Sequence, residues 1–287
     1  MRMKQISSQT LNQMKIFMID KTKLNSQTSE IRVKKNRSGI FTSVLDLVTV
    51  EAPLQIEIDG APSTITMRTP GDDKALALGF LFTEGLIEEY NAIADIVQKD
   101  ENTVNVVSEF GYKIKPSSLD RNFYATSSCG MCGKSSIESI IVKSKYLPPK
   151  KDIKIKETTL YQLQDKLLSV QSSFEATGGL HACALFKPDG RYLFHSEDVG
   201  RHNALDKLIG HALMAGRLPL DEHILLLSGR ASFELIQKAA IAGIPIIASV
   251  GAPSSLAVSL ADANKQTLIG FLKKNGFNLY TGNAGLT

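Results

Sequence analysis

Beyond the Pro148-Pro149 breaker the chain alternates short apolar runs with stretches of helical period, and nothing else in the sequence constrains the fold as strongly. The spacing predicts helices over residues 158–170, 203–214, 231–242 and 254–263, with Gly216 and Gly243 as stops. Between and after them, residues 182–186, 192–195, 224–227, 244–250, 267–271 and 278–281 read as strands. Apolar strands separated by helices of this length belong in a layered α/β/α sheet covered on both faces. No internal repeat is evident.

Upstream, residues 54–58 alternate as a half-buried strand, Asp59-Gly60 is a turn, and residues 64–67 return, which predicts a hairpin. Thr69-Pro70-Gly71-Asp72 supplies a turn and an Asp72 cap for a helix over 74–82, with Gly85 as its stop. Short strands are expected over 104–107 and 123–126, then a loop and a helix over 135–142. Residues 1–38 are polar without a sustained period and read as a weakly ordered leader. The expected organisation is this leader, a smaller N-terminal α+β subdomain over 39–120, and the main α/β domain over 121–287.

A chain of 287 residues with 43% apolar and 22% charged content can bury a substantial core. The net charge of +4 is partly gathered in Arg32, Lys34, Lys35 and Arg37. That run reads as a solvated, mobile face, with an acidic partner or nucleic acid as its alternative; no repeated interleaving of aromatics and basic residues supports RNA or DNA binding. The longest apolar runs, such as 244–250, are too short for a bilayer, and residues 1–20 lack the apolar core of a secretory signal. No membrane is implicated, and the expected location is the cytoplasm. The absence of tryptophan disfavours functions that lean on an indole platform.

Three cysteines, two of them as Cys129-Gly130-Met131-Cys132, suit a reducing compartment with reactive or metal-binding thiols better than a disulfide framework. The pair has three readings. A buried, inert pair fits poorly with the surrounding Ser127, Ser128, Gly133 and Lys134. Zinc would need four ligands, and the spacing supplies two. A thiolate nucleophile or sulfur carrier fits better. The glycines free backbone N–H groups to face a sulfur, the loop opens a helix, and Lys134 adds a cation. A thiol of pKa about 8.5 is only ~3% ionised at pH 7, so such a setting matters. A redox dithiol fits the same pattern. Cys183 lies in an apolar strand and reads as core.

Three further loops join a strand to a helix through glycine: Glu197 to Asn203, Ser228 to Glu234, and Ser249 to Ser255. Strand ends of α/β sheets are where ligands bind, so they suggest a common ligand edge, although helix packing could also demand each glycine. Ser228, Gly229 and Arg230 are placed to hold an anion at a helix amino end, and Arg201 is a candidate cofactor contact in a run whose alternative is a capping and ion-pair network. His181, after Gly178-Gly179, is either a structural histidine or a ligand contact. No loop matches a Walker or G-x-G-x-x-G pattern.

The run Thr126-Ser-Ser-Cys-Gly-Met-Cys-Gly-Lys134 resembles the signature of the formate dehydrogenase accessory sulfurtransferases, the FdhD family. So do Met67 to Asp73 followed by Ala77 to Phe80, Thr177 to His181, Glu197 to Asn203, Ser228 to Arg230 and Gly251 to Ser255, six blocks in order from roughly Leu54 to Thr281. The resemblance implies a main domain similar to the cytidine deaminase fold and a homodimer. It implies that a cysteine desulfurase loads sulfur as a persulfide on Cys129. The sulfur then goes to the molybdenum of bis-molybdopterin guanine dinucleotide before the cofactor enters formate dehydrogenase. GDP is a partial mimic of that cofactor. The resemblance assigns cofactor binding to Phe271, Leu272, Lys273, Lys274, Asn275 and Gly276. Lys273 stands where the family usually has Arg, so a phosphate contact there is a point charge rather than a fork. Whether Cys132 assists transfer or competes with it stays open, since attack on a Cys129 persulfide would expel sulfide and close a disulfide.

Two other functions compete. A zinc deaminase needs His-x-Glu ahead of Pro-Cys-x-x-Cys, whereas here Ser128 precedes the pair and His181-Ala182-Cys183 lies downstream without the Glu. A non-catalytic cofactor chaperone would use the cysteines only structurally.

Overall fold

The computed structural model describes residues 26–112, 114, 145–146, 153–282 and 285. The expected strand over 123–126, the loop holding Cys129 and Cys132, and the helix over 135–142 lie outside the described residues, as do residues 1–25 of the expected leader.

The chain enters as a two-stranded antiparallel ribbon, β1 (Thr28–Arg37) and β2 (Ile40–Thr49). Ser38 and Gly39 turn it with positive φ of 50° and 87°, the turn that matches strand twist. The expected boundary after residue 38 therefore falls on a hairpin turn. Residues 28–37 pair with β2 instead of forming a weakly ordered leader; no face of β1 is buried, so it leaves no apolar period to read. The second hairpin, β3 (Ala52–Ile58) and β4 (Ala61–Arg68), turns at Asp59-Gly60 as expected. Helix α1 (Asp73–Thr83) follows. Asp72 is left-handed and gives it no side-chain cap; its carboxylate lies 3.4 Å from His211 Nε2. Strands β5 (Ile93–Asp100) and β6 (Thr103–Ser108) complete a four-stranded sheet ordered β4-β3-β6-β5.

The main unit runs α2 (Glu157–Leu168), α3 (Ser172–Thr177), β7 (His181–Phe186), β8 (Tyr192–Asp198), α4 (Arg201–Met214), β9 (Ile224–Leu227), α5 (Phe233–Ile241), β10 (Ile246–Ser249), α6 (Ser255–Ala263), β11 (Thr267–Lys273) and β12 (Gly276–Thr281). Its six-stranded sheet is ordered β12-β11-β10-β9-β7-β8, with β9, β10 and β11 parallel. Successive residues go to opposite faces. Ala182, Ala184, Phe186, Ile224 and Leu226 pack with Leu160, Leu163 and Leu167 of α2, while Cys183, Leu185, Leu225 and Leu227 pack with α1, α4 and α5. Both faces are covered, as the expected layered α/β fold requires.

The two units meet where α1 crosses α4. A Cβ on Gly79 would lie 1.8 Å from the Asp206 carbonyl oxygen, and one on Gly210 1.9 Å from that of Ala75, so the backbones touch where only glycine fits. Buried polar groups fix the same joint. Asp198 accepts from Thr69 N at 3.1 Å, Gly200 N at 2.8 Å and Asn203 Nδ2 at 3.2 Å, and pairs with Lys207 at 2.8 Å; Lys207 also donates to Thr69 O at 2.8 Å. Arg68 grips Asp73 with two bonds of 2.9 Å. Deeper in, Lys238 donates to both Asp206 oxygens at 3.0 Å and to Thr83 Oγ1 at 2.8 Å. Burial pushes the Asp206 carboxyl up to about 6 against the pull of Lys238.

Candidate functional site

At the carboxyl ends of the parallel strands the chain keeps pairing past the strands themselves. Val250 N donates to Leu227 O, Gly251 N to Gly229 O, Phe271 N to Gly251 O and Ala231 N to Ala252 O, all at 2.9–3.2 Å. On the other side Ser228 is bonded to Ala182 through both its N–H and its Oγ, which joins this edge to the start of β7 at His181. The suspected common edge therefore exists as one continuous rim. Its glycines serve close approach: a Cβ on Gly251 would meet Arg230 at 3.0 Å, and one on Gly229 would meet His181 Nδ1 at 3.2 Å. Helix α5 begins only at Phe233, so Ser228, Gly229 and Arg230 precede its first turn and the expected start at Ala231 is two residues early.

A cavity of about 370 Å³ opens beside this rim, lined by His181, Ser228 and Val250 on the sheet side and by Gln164, Gln171 and Phe174 on the helical side. That volume suits a nucleotide-sized portion of a ligand. His181 lines this cavity, and Arg201 and Arg230, outside its lining, lie near enough to His181 to act on its charge. Burial, then the charges of Arg201 and Arg230, hold the His181 imidazole below its ordinary range against an opposing pull from Asp198. The neutral form of His181 is thereby favoured, with two guanidiniums close enough to act on it. Arg201 Nε is buried without a hydrogen-bond partner, and neither guanidinium has a carboxylate at ion-pair distance among the described residues. Orphaned donors and unneutralised charge are what an anionic ligand would satisfy.

The dense run Glu197 to Asn203 divides its labour. Asp198 and Asn203 turn inward to the joint, and His202 is buried against Ser232 at 3.2 Å and Glu234 at 3.4 Å. Glu197 accepts from Gln171 Nε2 at 3.1 Å and Phe174 N at 3.3 Å, which fixes the cavity's helical wall. Of the run's charged side chains, Arg201 alone has no ion-pair partner among the described residues. Gln171 and Phe174 have no motif to announce them: α3 is six residues long and carries no readable period.

Phe271, Leu272, Lys273, Lys274, Asn275 and Gly276 form the end of β11, a turn and the start of β12. Phe271 holds a left-handed φ of 52°, unusual for a bulky residue, and its ring is substantially exposed at the rim next to Gly251. Leu272 is core. Lys274 makes an exposed ion pair with Asp165 of α2 at 3.1 Å, and Lys273 is exposed. The structure thus brings His181, Arg201 and Arg230 near one another and puts the backbone of Phe271 on the rim, while Lys274 is held by Asp165 of α2. Cys183 is core as expected, its thiol pushed up by burial and directed at the Arg201 carbonyl 3.9 Å away. No group of three or more metal-ligating side chains is gathered among the described residues, and no described helix is long and apolar enough to cross a membrane.

These features define a mixed α/β protein whose candidate ligand site lies at the carboxyl ends of its parallel strands. A crystal structure from Desulfotalea psychrophila, described as a formate dehydrogenase accessory protein, has this fold: TM-score 0.72 at 23% identity, over 91% of this chain and 100% of that one. Relatives named sulfur carrier protein FdhD are far closer in sequence. The one from Streptomyces avermitilis is 46% identical over 89% of this chain and 94% of its own, and the one from Mycolicibacterium paratuberculosis 47% over 88% and 97%. The archaeal relative from Saccharolobus solfataricus is 42% identical over 82% and 89%. Residues 49–287 match the model of the FdhD/NarQ family, and the chain belongs to that family.

Proposed function

We propose that this protein is a sulfur carrier serving formate dehydrogenase, acting as a homodimer. The observation that carries the reading is identity of 42–47% to relatives named sulfur carrier protein, in a chain that holds Cys129-Gly130-Met131-Cys132. In the proposed loading step the Cys129 thiolate attacks the terminal sulfur of a persulfide on a cysteine desulfurase. A new S–S bond forms on Cys129, and the donor cysteine leaves as thiolate. The substrate that receives the sulfur is bis-molybdopterin guanine dinucleotide, at its molybdenum. Its anionic nucleotide end suits the rim: Arg201 and Arg230 supply charge, the cavity admits one nucleotide-sized portion, and the orphaned Arg201 Nε gains an acceptor.

Intact-mass analysis after incubation with a cysteine desulfurase and cysteine tests the carrier step. The wild type is expected to gain sulfur that a thiol reductant removes, and Cys129→Ala to lose most of that gain. No reductant-sensitive gain on the wild type would overturn the carrier reading in favour of a cofactor chaperone.

A further inference from the structure

We infer that the β1–β2 ribbon is a docking arm for a second copy of this chain, whose acidic hollow at Glu88, Glu109 and Phe110 receives the ribbon's tip. The inference deepens the homodimer of the proposed function by naming its surfaces.

Among the described residues the hydrogen bonds that tie the ribbon to the rest of the chain lie at its base. There Val50 N donates to Gln27 O at 2.9 Å, Thr49 Oγ1 lies 2.9 Å from Thr177 Oγ1, and Gln27 Nε2 donates to Pro70 O at 3.1 Å. Beyond the base its large apolar side chains stand in water: Ile40 is 69% exposed, Phe41 66% and Leu45 58%. An isolated two-stranded hairpin is at best marginally stable in water, so strands of ten residues call for a cover. Register dictates what kind. Arg32 lies opposite Leu45, Lys34 opposite Ser43, Lys35 opposite Thr42 and Arg37 opposite Ile40, so both faces mix cations with apolar groups. None of the four cations is ion-paired among the described residues. The complementary surface must be acidic and apolar together.

This chain carries such a surface. A hollow of about 490 Å³ is lined by Glu88, Glu89, Asn91, Glu109, Phe110 and Tyr112. Phe110 is fully exposed. Glu89 is engaged by Lys145, while Glu88 and Glu109 have no cation at ion-pair distance among the described residues. The ribbon departs next to the Ala52 end of β3, whereas the hollow adjoins the other end, where Asp59 accepts from Ser108 N at 2.7 Å. Ile40 and Phe41 stand exposed, so the chain's own hollow does not receive them. In a two-fold dimer each arm would fill the partner's hollow, and one contact made twice would cover both arms.

Sedimentation equilibrium of the full chain tests this with two double variants, Lys35→Glu with Arg37→Glu on the arm and Glu88→Lys with Glu109→Lys in the hollow. Each alone should weaken the dimer by about tenfold or more, since like charges then face each other at both contacts. An equimolar mixture should restore it, because every reversed arm then meets a reversed hollow. A dimer indifferent to both variants overturns these surfaces and leaves the homodimer standing, and a monomeric wild type overturns both. Loss without restoration in the mixture overturns the arm–hollow pairing. Sulfur loading, followed on the same samples, reports on the carrier reading independently.

Discussion

Lys207 and Arg201 lie on the same helix, two turns apart at most, and the protein treats their charges in opposite ways. Lys207 is fully buried, paired with Asp198 at 2.8 Å and bonded to Thr69 O. Arg201 stands near a second guanidinium and a histidine whose neutral form is favoured, with a buried donor that nothing described accepts from. At the joint Arg68, Lys207 and Lys238 are each matched by a carboxylate within the chain, which fixes the two units against each other. At the rim the chain gathers positive charge with no carboxylate at ion-pair distance among the described residues, an arrangement that an anionic ligand would offset. The difference separates what holds this molecule together from what it holds.

The sharpest way to break that comparison is at the joint. Asp198→Ala strands Lys207 as a buried charge and is expected to cost about 3–5 kcal/mol in urea unfolding. Gly210→Ala drives a methyl against the Ala75 carbonyl and should cost about 2–3 kcal/mol despite alanine's better helix propensity. Either variant unfolding at the wild-type midpoint would show that the joint is not what fixes the two units.

The rim should answer differently. Arg201→Gln with Arg230→Gln is expected to weaken GDP binding in calorimetry by about tenfold or more, a loss of about 1.4 kcal/mol, while the unfolding midpoint stays within ~0.5 kcal/mol of wild type. A large loss of stability would put Arg201 on the structural side of the divide. Lys273→Glu with Lys274→Glu should weaken GDP by only about threefold, because both side chains are exposed and screened and Lys274 already faces Asp165. A tenfold loss there would extend the site along the β11–β12 turn, as the family resemblance implies.

Much of this division was legible in the sequence, and the remainder was hidden for identifiable reasons. Strands β7 and β9 to β11 announce themselves because both their faces are buried and the runs are continuously apolar. Strand β5 was missed because only Ile93 and Ile96 of its eight residues face the core, and β1 because no face of it is covered. His181, Arg201 and Arg230 stood out singly as residues of glycine-flanked loops. Their convergence could not be read, since it depends on β7 running antiparallel to β9 and bringing His181 to the carboxyl ends of β9 and β10. The inward members of the polar run did carry a signal: His202 with Asp206 and Asn203 with Lys207 repeat polar residues at a spacing of four on one helix, and all four are buried.

The smallest effect expected is also the most specific to the rim. His181 is held below its ordinary pKa by burial and by Arg201 and Arg230, so the unfolded chain binds more protons there than the folded one. Its contribution to stability is therefore intact above about pH 6.5 and is lost as pH falls from there through the folded value. A phosphate between the two arginines would offset their charge and favour the imidazolium, so GDP should move the His181 pKa upward in an NMR titration. By linkage GDP affinity should rise as pH falls through the bound value and be flat above it, by no more than about threefold. The terminal phosphate of GDP itself titrates near pH 6, so His181→Gln provides the baseline from which the histidine's part is taken. A His181 resonance that titrates identically with and without GDP would place the nucleotide away from this cavity. A pKa that falls on binding would mean that the ligand brings the wrong charge to the rim, and the contrast with Lys207 would then need another explanation.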